Sequence, residues 1–581
     1  MAMTQANLQS AMQLHRSGKL EEAEPLYRQV LAREPANTDA LHLLGVINLQ
    51  RGQSAQGESL IRRAISLRPD AVEYRMSHAE FLIQTGRWNE MSESVQEILR
   101  LAPKNQPALF RLGMRLAQSG QYEPAIAVLK FAVELQPDDS DCRGYLASLY
   151  AAMNRPHLAV VELREGTRRN PGDVRFWHNL GALLCSSNQI EEGLKAINEA
   201  LKLKPDLVGA LANRAVALRR LDRHAEAMED LRRGIEIDPR APQLQNNLGA
   251  LLFDQGKWEE ALAAWKLAVE QAPNSPMEHW NYARLLLLLG HFEQGWEEFE
   301  WRLKLPRLKL KRDFTQPQWD GSDPTGKTIL LFTEGGFGDA INFIRLVPGI
   351  TARGGKWYLE CQPALVSLFE GMPGIERIIP RGEALPEFDM QIPLQSLLRI
   401  AGIRLENIPN KVPYLKAPRD RAEQWAARLA NDPHPRVGLV WAGSKVEGDS
   451  RTRSISTFAP LAAVKNVRFY SLQKGTDSGQ TPRPEMDWVD YTAELHDFAD
   501  TAALVENLDL VITVDTSMAH LAGALAKPVW VVIPFQSDFR WLIDRTDSPW
   551  YPTMRLFRQP SNQDVATPIA QMVEALREFR R

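Results

Sequence analysis

Asp339 closes the segment Glu334-Gly-Gly-Phe-Gly-Asp339, which follows the apolar run Thr328-Ile-Leu-Leu-Phe-Thr333. The glycines, Gly338 among them, let a ligand approach the backbone closely. A carboxylate at that place could take a proton from an attacking hydroxyl as a general base. The same aspartate also suits the start of a helix, where it would only cap backbone N–H groups. A second segment runs from Gly443 through Ser444 and Lys445 to Arg451, Thr452 and Arg453, after the apolar Arg436-Val-Gly-Leu-Val-Trp441. Its cations, Lys445 and Arg453 above all, could neutralise a diphosphate; the alternative is a solvated surface loop. The third segment is Asp515-Thr516-Ser517-Met-Ala-His520, after Leu508-Asp-Leu-Val-Ile-Thr-Val514. The amides of Thr516 and Ser517 at a helix start would face an anion, with His520 a turn later; the alternative is a capped helix with a satisfied core histidine. Lys474, in Ser471-Leu-Gln-Lys474, and Leu495 mark the place for a nucleobase. The one Asp-x-Asp, Asp139-Ser-Asp141, lies far from these segments, and no His/Cys cluster has metal-ligand spacing. No metal is expected, so cations and helix dipoles would do the work that Mg²⁺ does elsewhere.

Each segment needs a strand before it and a helix after it. Strand, glycine turn and helix are the unit of a doubly wound sheet, whose ligands bind at the carboxyl ends of the strands. Apolar runs at 328–333, 436–441, 467–472, 508–514 and 528–533 alternate with helical stretches, with weaker strands near 357–359 and 378–379, which argues for parallel sheets with helices on both faces. The expected organisation is a connector at 306–326, a first lobe at 327–415, a charged helix between Pro409 and Pro435 as a hinge, a second lobe at 432–560 and a last helix within 561–581.

The first half has a different order. Pro35, Pro69, Pro103, Pro137, Pro171, Pro205, Pro239 and Pro273 stand 34 residues apart. Ten residues after them come only Gly or Ala, from Gly45 to Ala283, and twelve before them all but Met91 are Gly or Ala. A 34-residue period is that of a helix–turn–helix tetratricopeptide unit. The small residues mark close helix crossings, and the prolines end each second helix. Residues 4–305 are therefore expected to form an α-solenoid, a tetratricopeptide superhelix of eight units and a capping ninth. Asn179, Asn213, Asn247 and Asn281 occupy one position of four consecutive units, where the earlier units carry Leu43, Ser77, Arg111 and Tyr145. Stacked amides could pair with a peptide backbone without reading its sequence; the alternative is a tolerated polar position within each unit.

The composition, 44% hydrophobic and 24% charged with a formal net charge of −3, is that of an ordinary soluble protein and argues against an electrostatic nucleic-acid binder. The longest aliphatic run, Leu285 to Leu289, is far shorter than a membrane span of about 20 residues. There is no signal pattern, and three scattered cysteines fit a reducing cytoplasm.

The Gly338-Asp339 turn, the Trp441-Ala-Gly-Ser444 strand end, and Asp515-Thr-Ser-Met-Ala-His520 followed by Gly523-Ala-Leu-Ala-Lys-Pro528 resemble family 9 glycosyltransferases, the heptosyltransferase-like GT-B enzymes. Ser548-Pro-Trp-Tyr-Pro552 and Arg555-Leu-Phe-Arg-Gln559 look like the subset of that family fused to tetratricopeptide repeats, over about residues 326–560. The repeat half resembles the superhelix of O-linked N-acetylglucosamine transferases, and bacterial flagellin glycosyltransferases join such repeats to a transferase. The resemblance implies an α-solenoid followed by an α/β GT-B-like pair of Rossmann-like lobes. It also implies inverting, metal-independent transfer, with a nucleotide-sugar as co-substrate and no other cofactor. By that similarity Asp339 is the base, and Gly338, Ser444, Lys445, Arg453, Lys474, Asp515, Thr516, Ser517 and His520 bind the donor. Asn179, Asn213, Asn247 and Asn281 would hold a protein acceptor through its backbone, with Ser or Thr, for instance of flagellin, receiving the sugar. The alternatives are a transferase acting on a glycan or lipid-linked saccharide, and a repeat scaffold without catalysis.

Overall fold

The computed structural model describes residues 2–101, 106–308, 312, 314–443, 452–475, 477–480 and 482–579. The chain forms two compact units, residues 1–238 and 239–581. The first is made of seven antiparallel helix pairs, from Ala2–Arg16 with Leu20–Arg33 to Val208–Arg220 with His224–Ile237. The period has the expected physical cause. A Cβ on Gly181 would lie 2.4 Å from Ile197 Cγ1 and 2.9 Å from the Gly193 carbonyl oxygen, and one on Gly193 would lie 2.8 Å from the Gly181 carbonyl oxygen. The two helices of a pair thus touch backbone to backbone, and a larger residue would part them.

The second unit begins with two more pairs, Pro242–Asp254 with Trp258–Gln271 and Pro276–Leu288 with Phe292–Phe299. The ninth pair is the expected cap: its short last helix tightens into a 3₁₀ turn, Glu300–Lys304. Among the described residues up to 308 every regular element is helical.

Two wholly parallel sheets follow. The first contains β1 (Thr328–Phe332), β2 (Lys356–Cys361), β3 (Arg377–Pro380) and β4 (Met390–Pro393), in the order β3-β2-β1-β4. The second contains β5 (Arg436–Val440), β6 (Arg468–Ser471), β7 (Trp488–Asp490), β8 (Leu510–Val514), β9 (Val529–Ile533) and β10 (Met554–Arg558), in the order β10-β9-β8-β5-β6-β7. Strands β4, β7 and β10 go beyond the sequence expectation; they are short edge strands with weak patterns. The helical stretch between β5 and β6 is a 3₁₀ run, Ile455–Ala463, carrying Pro460. The expected hinge helix is Arg419–Leu429. The last helix, Ala566–Glu578, buries Ile569, Met572, Val573 and Leu576 against Val437, Leu439 and Trp441 of the second lobe.

The 306–326 connector is not a free linker. Trp319 is fully buried edge-on against Trp357, and its amide donates to the Gln391 carbonyl oxygen at 2.8 Å, extending the β4 edge. The repeat cap is also fastened to the first lobe. Trp296 Nε1 donates to the Ile403 carbonyl oxygen at 2.8 Å. The buried Arg302 donates to Glu334 Oε1 (2.7 Å), Ser396 Oγ (2.9 Å) and Glu300 Oε1 (2.7 Å). Burial pushes the Glu334 carboxyl up to about 7, against the pull of Arg302, and its Oε2 has no hydrogen-bond partner. Burial pulls Arg302 down, but Glu334 and Glu300 outweigh it and hold it above its ordinary value.

A folded-state value above the ordinary 4.5 means that the folded protein holds a proton which the unfolded chain has lost. The stabilisation is complete below pH 4.5 and is lost as pH rises through about 7. The shift corresponds to about 3 kcal/mol. Denaturant unfolding of the full chain at pH 5 and pH 8 should show the transition of the second unit weakened at the higher pH, and Glu334→Gln should flatten that difference.

Candidate active site

In each sheet the strand order reverses once, between β1 and β4 in the first and between β5 and β8 in the second. A crevice opens at the carboxyl end of such a reversal. The two crevices here face one another across a cleft of about 970 Å³. The first lobe contributes the turn after β1, Gly335 to Asp339, with Gln362 and Arg381. The second contributes Ala442 and Gly443 after β5, Leu472 to Gly475 after β6, Leu495 to Phe498, and Asp515 to Met518 with His520 after β8.

Gly338, Asp339, Lys474, Asp515, Thr516, Ser517 and His520 therefore share one cavity. Ser444 and Lys445 lie outside the described residues. Arg453 is not among the described residues that line the cleft. Its amide donates to the Trp441 carbonyl oxygen (2.9 Å), and its guanidinium donates to Gln559 Oε1 (2.7 Å).

Asp339 makes the capping contact expected at a helix start. It stands in the first turn of the helix Phe337–Phe343, and its Oδ2 accepts from the Gly336 amide at 2.9 Å. Its Oδ1 accepts from Arg540, which also donates to Asp538 Oδ1 at 2.6 Å. A carboxylate oxygen has two lone pairs, so each oxygen keeps capacity to accept a further hydrogen bond. Burial pulls Arg540 down, but Asp538, Asp339 and Asp515 outweigh it and hold the cation above its ordinary value. Burial pushes Asp538 up, but Arg540 and Arg284 hold it below its ordinary value.

Gly338 has a role other than contacting a ligand. A Cβ there would lie 2.8 Å from His520 Cδ2 and 3.4 Å from Ser517 Cα. The glycine lets the helix Phe337–Phe343 of one lobe lie against the helix Ser517–Ala524 of the other. His520 is a largely satisfied core histidine with one edge on the cleft. Tyr414 donates to the Ile341 carbonyl oxygen (2.9 Å) and Tyr551 to Asn342 Oδ1 (2.9 Å), so both phenolic protons are used. Tyr551 Oη lies 3.0 Å from His520 Nδ1, within hydrogen-bond distance. The imidazole stacks on Trp541, and Arg345 lies over both tyrosine rings.

Thr516 caps its helix, with its hydroxyl accepting from the Met518 amide at 3.3 Å. Lys474 reaches the cleft wall, but its ammonium donates to the Thr492 and Leu495 carbonyl oxygens, both at 2.7 Å, and so braces the apolar pocket of Leu472 and Leu495. Gln473 locks that pocket to the end of β5 by accepting from the Trp441 and Ala442 amides. Phe337 and Phe498 meet at 4.9 Å, one from each lobe. Arg381, Asp538, Arg540 and this aromatic pair were missed from sequence. Asp538 and Arg540 follow β9, the same kind of strand end that marked the other three segments, so the signal was present.

The asparagine position is partly spent inside the repeats. Within the first unit Asn213 Nδ2 lies 3.0 Å from His178 Nε2, and within the second Asn281 Nδ2 donates to Asn246 Oδ1 at 2.9 Å. Ser77, at the same position, pairs with His42 at 2.8 Å. In each case the partner is 35 residues back, so a polar group here ties a helix pair to the one before it. Asn179 is exposed, and Asn247 is half-buried.

The tetratricopeptide repeat family matches residues 14–80, 116–184, 184–242 and 242–275. The helix pairs are tetratricopeptide repeats. Such repeats typically bind protein partners on the surface their stacking creates. The chain is 26% identical to Protein FlbA of Caulobacter vibrioides over 526 residues, 85% of this chain and 82% of that protein, more than the repeats alone make up. It is 26% identical to the peroxisomal targeting signal receptor of Kluyveromyces lactis over 228 residues, 38% of this chain and 39% of the receptor's length. Among solved structures, the thermophilic TPR protein TTC0263 of Thermus thermophilus matches 31% of this chain and 99% of its own, at 22% identity and a TM-score of 0.28. Among the described residues no helix is long and apolar enough to cross a membrane.

Two substitutions test these contacts. Gly338→Ala crowds His520 and should cost about 1–3 kcal/mol of stability. Arg453→Ala, which removes the bond to Gln559, should cost less than about 1.5 kcal/mol. Denaturant unfolding of both variants checks this; an unperturbed Gly338→Ala would contradict the close approach of the two helices.

Proposed function

We propose that this protein transfers a sugar from a nucleotide-sugar donor to Ser or Thr hydroxyls of a protein held by the tetratricopeptide repeats. One observation supports this above the others: Asp339, Lys474, Asp515, Thr516, Ser517 and His520, far apart in sequence, line one cleft at the carboxyl ends of two parallel sheets.

In this reading the nucleoside lies against Leu472 and Leu495, and the helix start at Thr516 and Ser517 faces the diphosphate. Asp515 accepts hydrogen bonds from the sugar. The acceptor oxygen attacks the anomeric carbon as the bond from that carbon to the phosphate oxygen breaks, which inverts the configuration. The hydroxyl proton passes to the Asp339 carboxylate, and the nucleoside diphosphate leaves with the bonding electron pair. Lys474 keeps the pocket shaped, and Arg540 is paired with Asp339 in the same cleft.

A second reading, a glycan acceptor, draws on the asparagine contacts: amides committed between neighbouring pairs have less capacity for a peptide backbone. Intact-mass analysis of secreted and flagellar proteins from cells with and without the gene separates the two. Purified protein should then add the same mass to that acceptor in the presence of EDTA, and Asp339→Asn should abolish transfer while the acceptor still binds. Changing Asn213, Asn247 and Asn281 together to Ala should lower acceptor affinity roughly ten- to a thousandfold, at about 0.5–1.5 kcal/mol per lost amide pair, with donor hydrolysis unchanged. Normal transfer by the triple variant would move the acceptor off the asparagines.

A further inference from the structure

We infer that Arg540 is the positioning residue of this cleft, and that the last two repeat pairs hold Arg540 in place; the inference rests on the transferase reading of the same site. Arg540 lies in the 3₁₀ turn Phe539–Trp541 after β9 and is 7% exposed. Its planar fork bridges two carboxylates, Asp339 from the first lobe and Asp538 from its own segment. Arginine suits such a bridge because its donors are fixed in one plane, which an ammonium cannot copy. The guanidinium also lies over the rings of Phe343, 4.9 Å away, and Phe539, 4.5 Å away. Its Nε is buried with no hydrogen-bond partner. The group is thus aimed at the two carboxylates at the expense of its own satisfaction.

The segment carrying Arg540 rests on repeat residues at three points. The Phe535 ring lies 5.7 Å from Trp258, and Gln536 Nε2 donates to Asp254 Oδ1 at 2.9 Å. Phe539 packs edge-on against Trp296 at 5.5 Å and Phe299 at 5.8 Å. The turn between the helices of the eighth pair makes room for this: Gly256 has φ +72°, and a Cβ there would lie 2.8 Å from Phe535 Cζ. Asp339 is therefore held from both sides, by the Gly336 amide within its own turn and by an arginine whose segment is fixed on the repeats. Nη1 reaches Asp538 and Nη2 reaches Asp339, and a part in placing Asp339 falls on turnover and not on donor affinity.

The test uses the full chain with Arg540→Gln, Arg540→Lys and Trp258→Ala. It reads kcat and donor KM, nucleoside diphosphate affinity by calorimetry, and deuterium uptake at Gly336. Arg540→Gln should lower kcat about a hundredfold or more, as expected for a misplaced reacting group, with donor KM and diphosphate affinity within about threefold of wild type. Arg540→Lys should recover about tenfold of kcat, since one carboxylate can still be reached. Trp258→Ala should lower kcat about tenfold through the same misplacement, again with KM held. Deuterium uptake at Gly336 should rise in Arg540→Gln and Trp258→Ala. A rise in KM with kcat preserved would make Arg540 a donor contact and overturn the inference, as would unchanged kcat in either variant. If the wild-type chain turns over no nucleotide-sugar, the transferase reading fails, and uptake at Gly336 decides the inference by itself: unchanged exchange in Arg540→Gln overturns it.

Discussion

Two helices from different lobes meet at Gly338 and His520, where a Cβ on Gly338 would lie 2.8 Å from the imidazole. The cleft depends on that contact. It brings the turn after β1 opposite the turn after β8, and so sets Asp339 across from Asp515, Thr516 and Ser517. Behind it, Tyr551 bridges Asn342 of the first lobe and His520 of the second, and Tyr414 joins them from the connection between the lobes. Burial holds both phenols above their ordinary values, so they stay neutral hydrogen-bonding groups. The lobes are therefore joined by a polar network next to the cleft.

The same unit contains the last two repeat pairs, and their attachment is chemical as well as steric. Arg302 reaches from the cap to Glu334, the residue that begins the turn leading to Asp339. Trp258, Trp296 and Phe299 receive the segment that carries Arg540. Repeat residues thus support the Asp339 turn from its start and from its partner. A fusion of two independent modules would need neither contact, and a buried arginine with a buried glutamate is costly unless both find partners.

Much of this was legible in the sequence because it rests on local rules. The 34-residue spacing showed the helix pairs, since the glycines at 181 and 193 leave no room for a side chain. Strand-end segments rich in glycine and small polar residues led to Asp339, Asp515 and Thr516. What escaped depends on distant partners. Arg453 is drawn to Gln559, which is 106 residues away in sequence. Arg540 matters because of Asp339, 201 residues earlier. The asparagines looked like a ladder facing outward, yet Asn213 and Asn281 turn toward the preceding helix pair, an arrangement that Ser77 repeats with a different side chain. The connector read as a loop because Trp319 gains its burial only from Trp357.

The central claim is that the cleft between the two sheets is built for the nucleoside diphosphate part of a sugar donor. Calorimetric titration of the full chain with a panel of nucleoside diphosphates in EDTA tests it most directly. The account predicts that one of them binds with a stoichiometry of one, and that the heat is lost when Thr516 and Ser517 are replaced together by proline and leucine, a change that removes a backbone donor from the helix start. Equal and negligible heats for every nucleotide, or binding unaffected by that replacement, would contradict it.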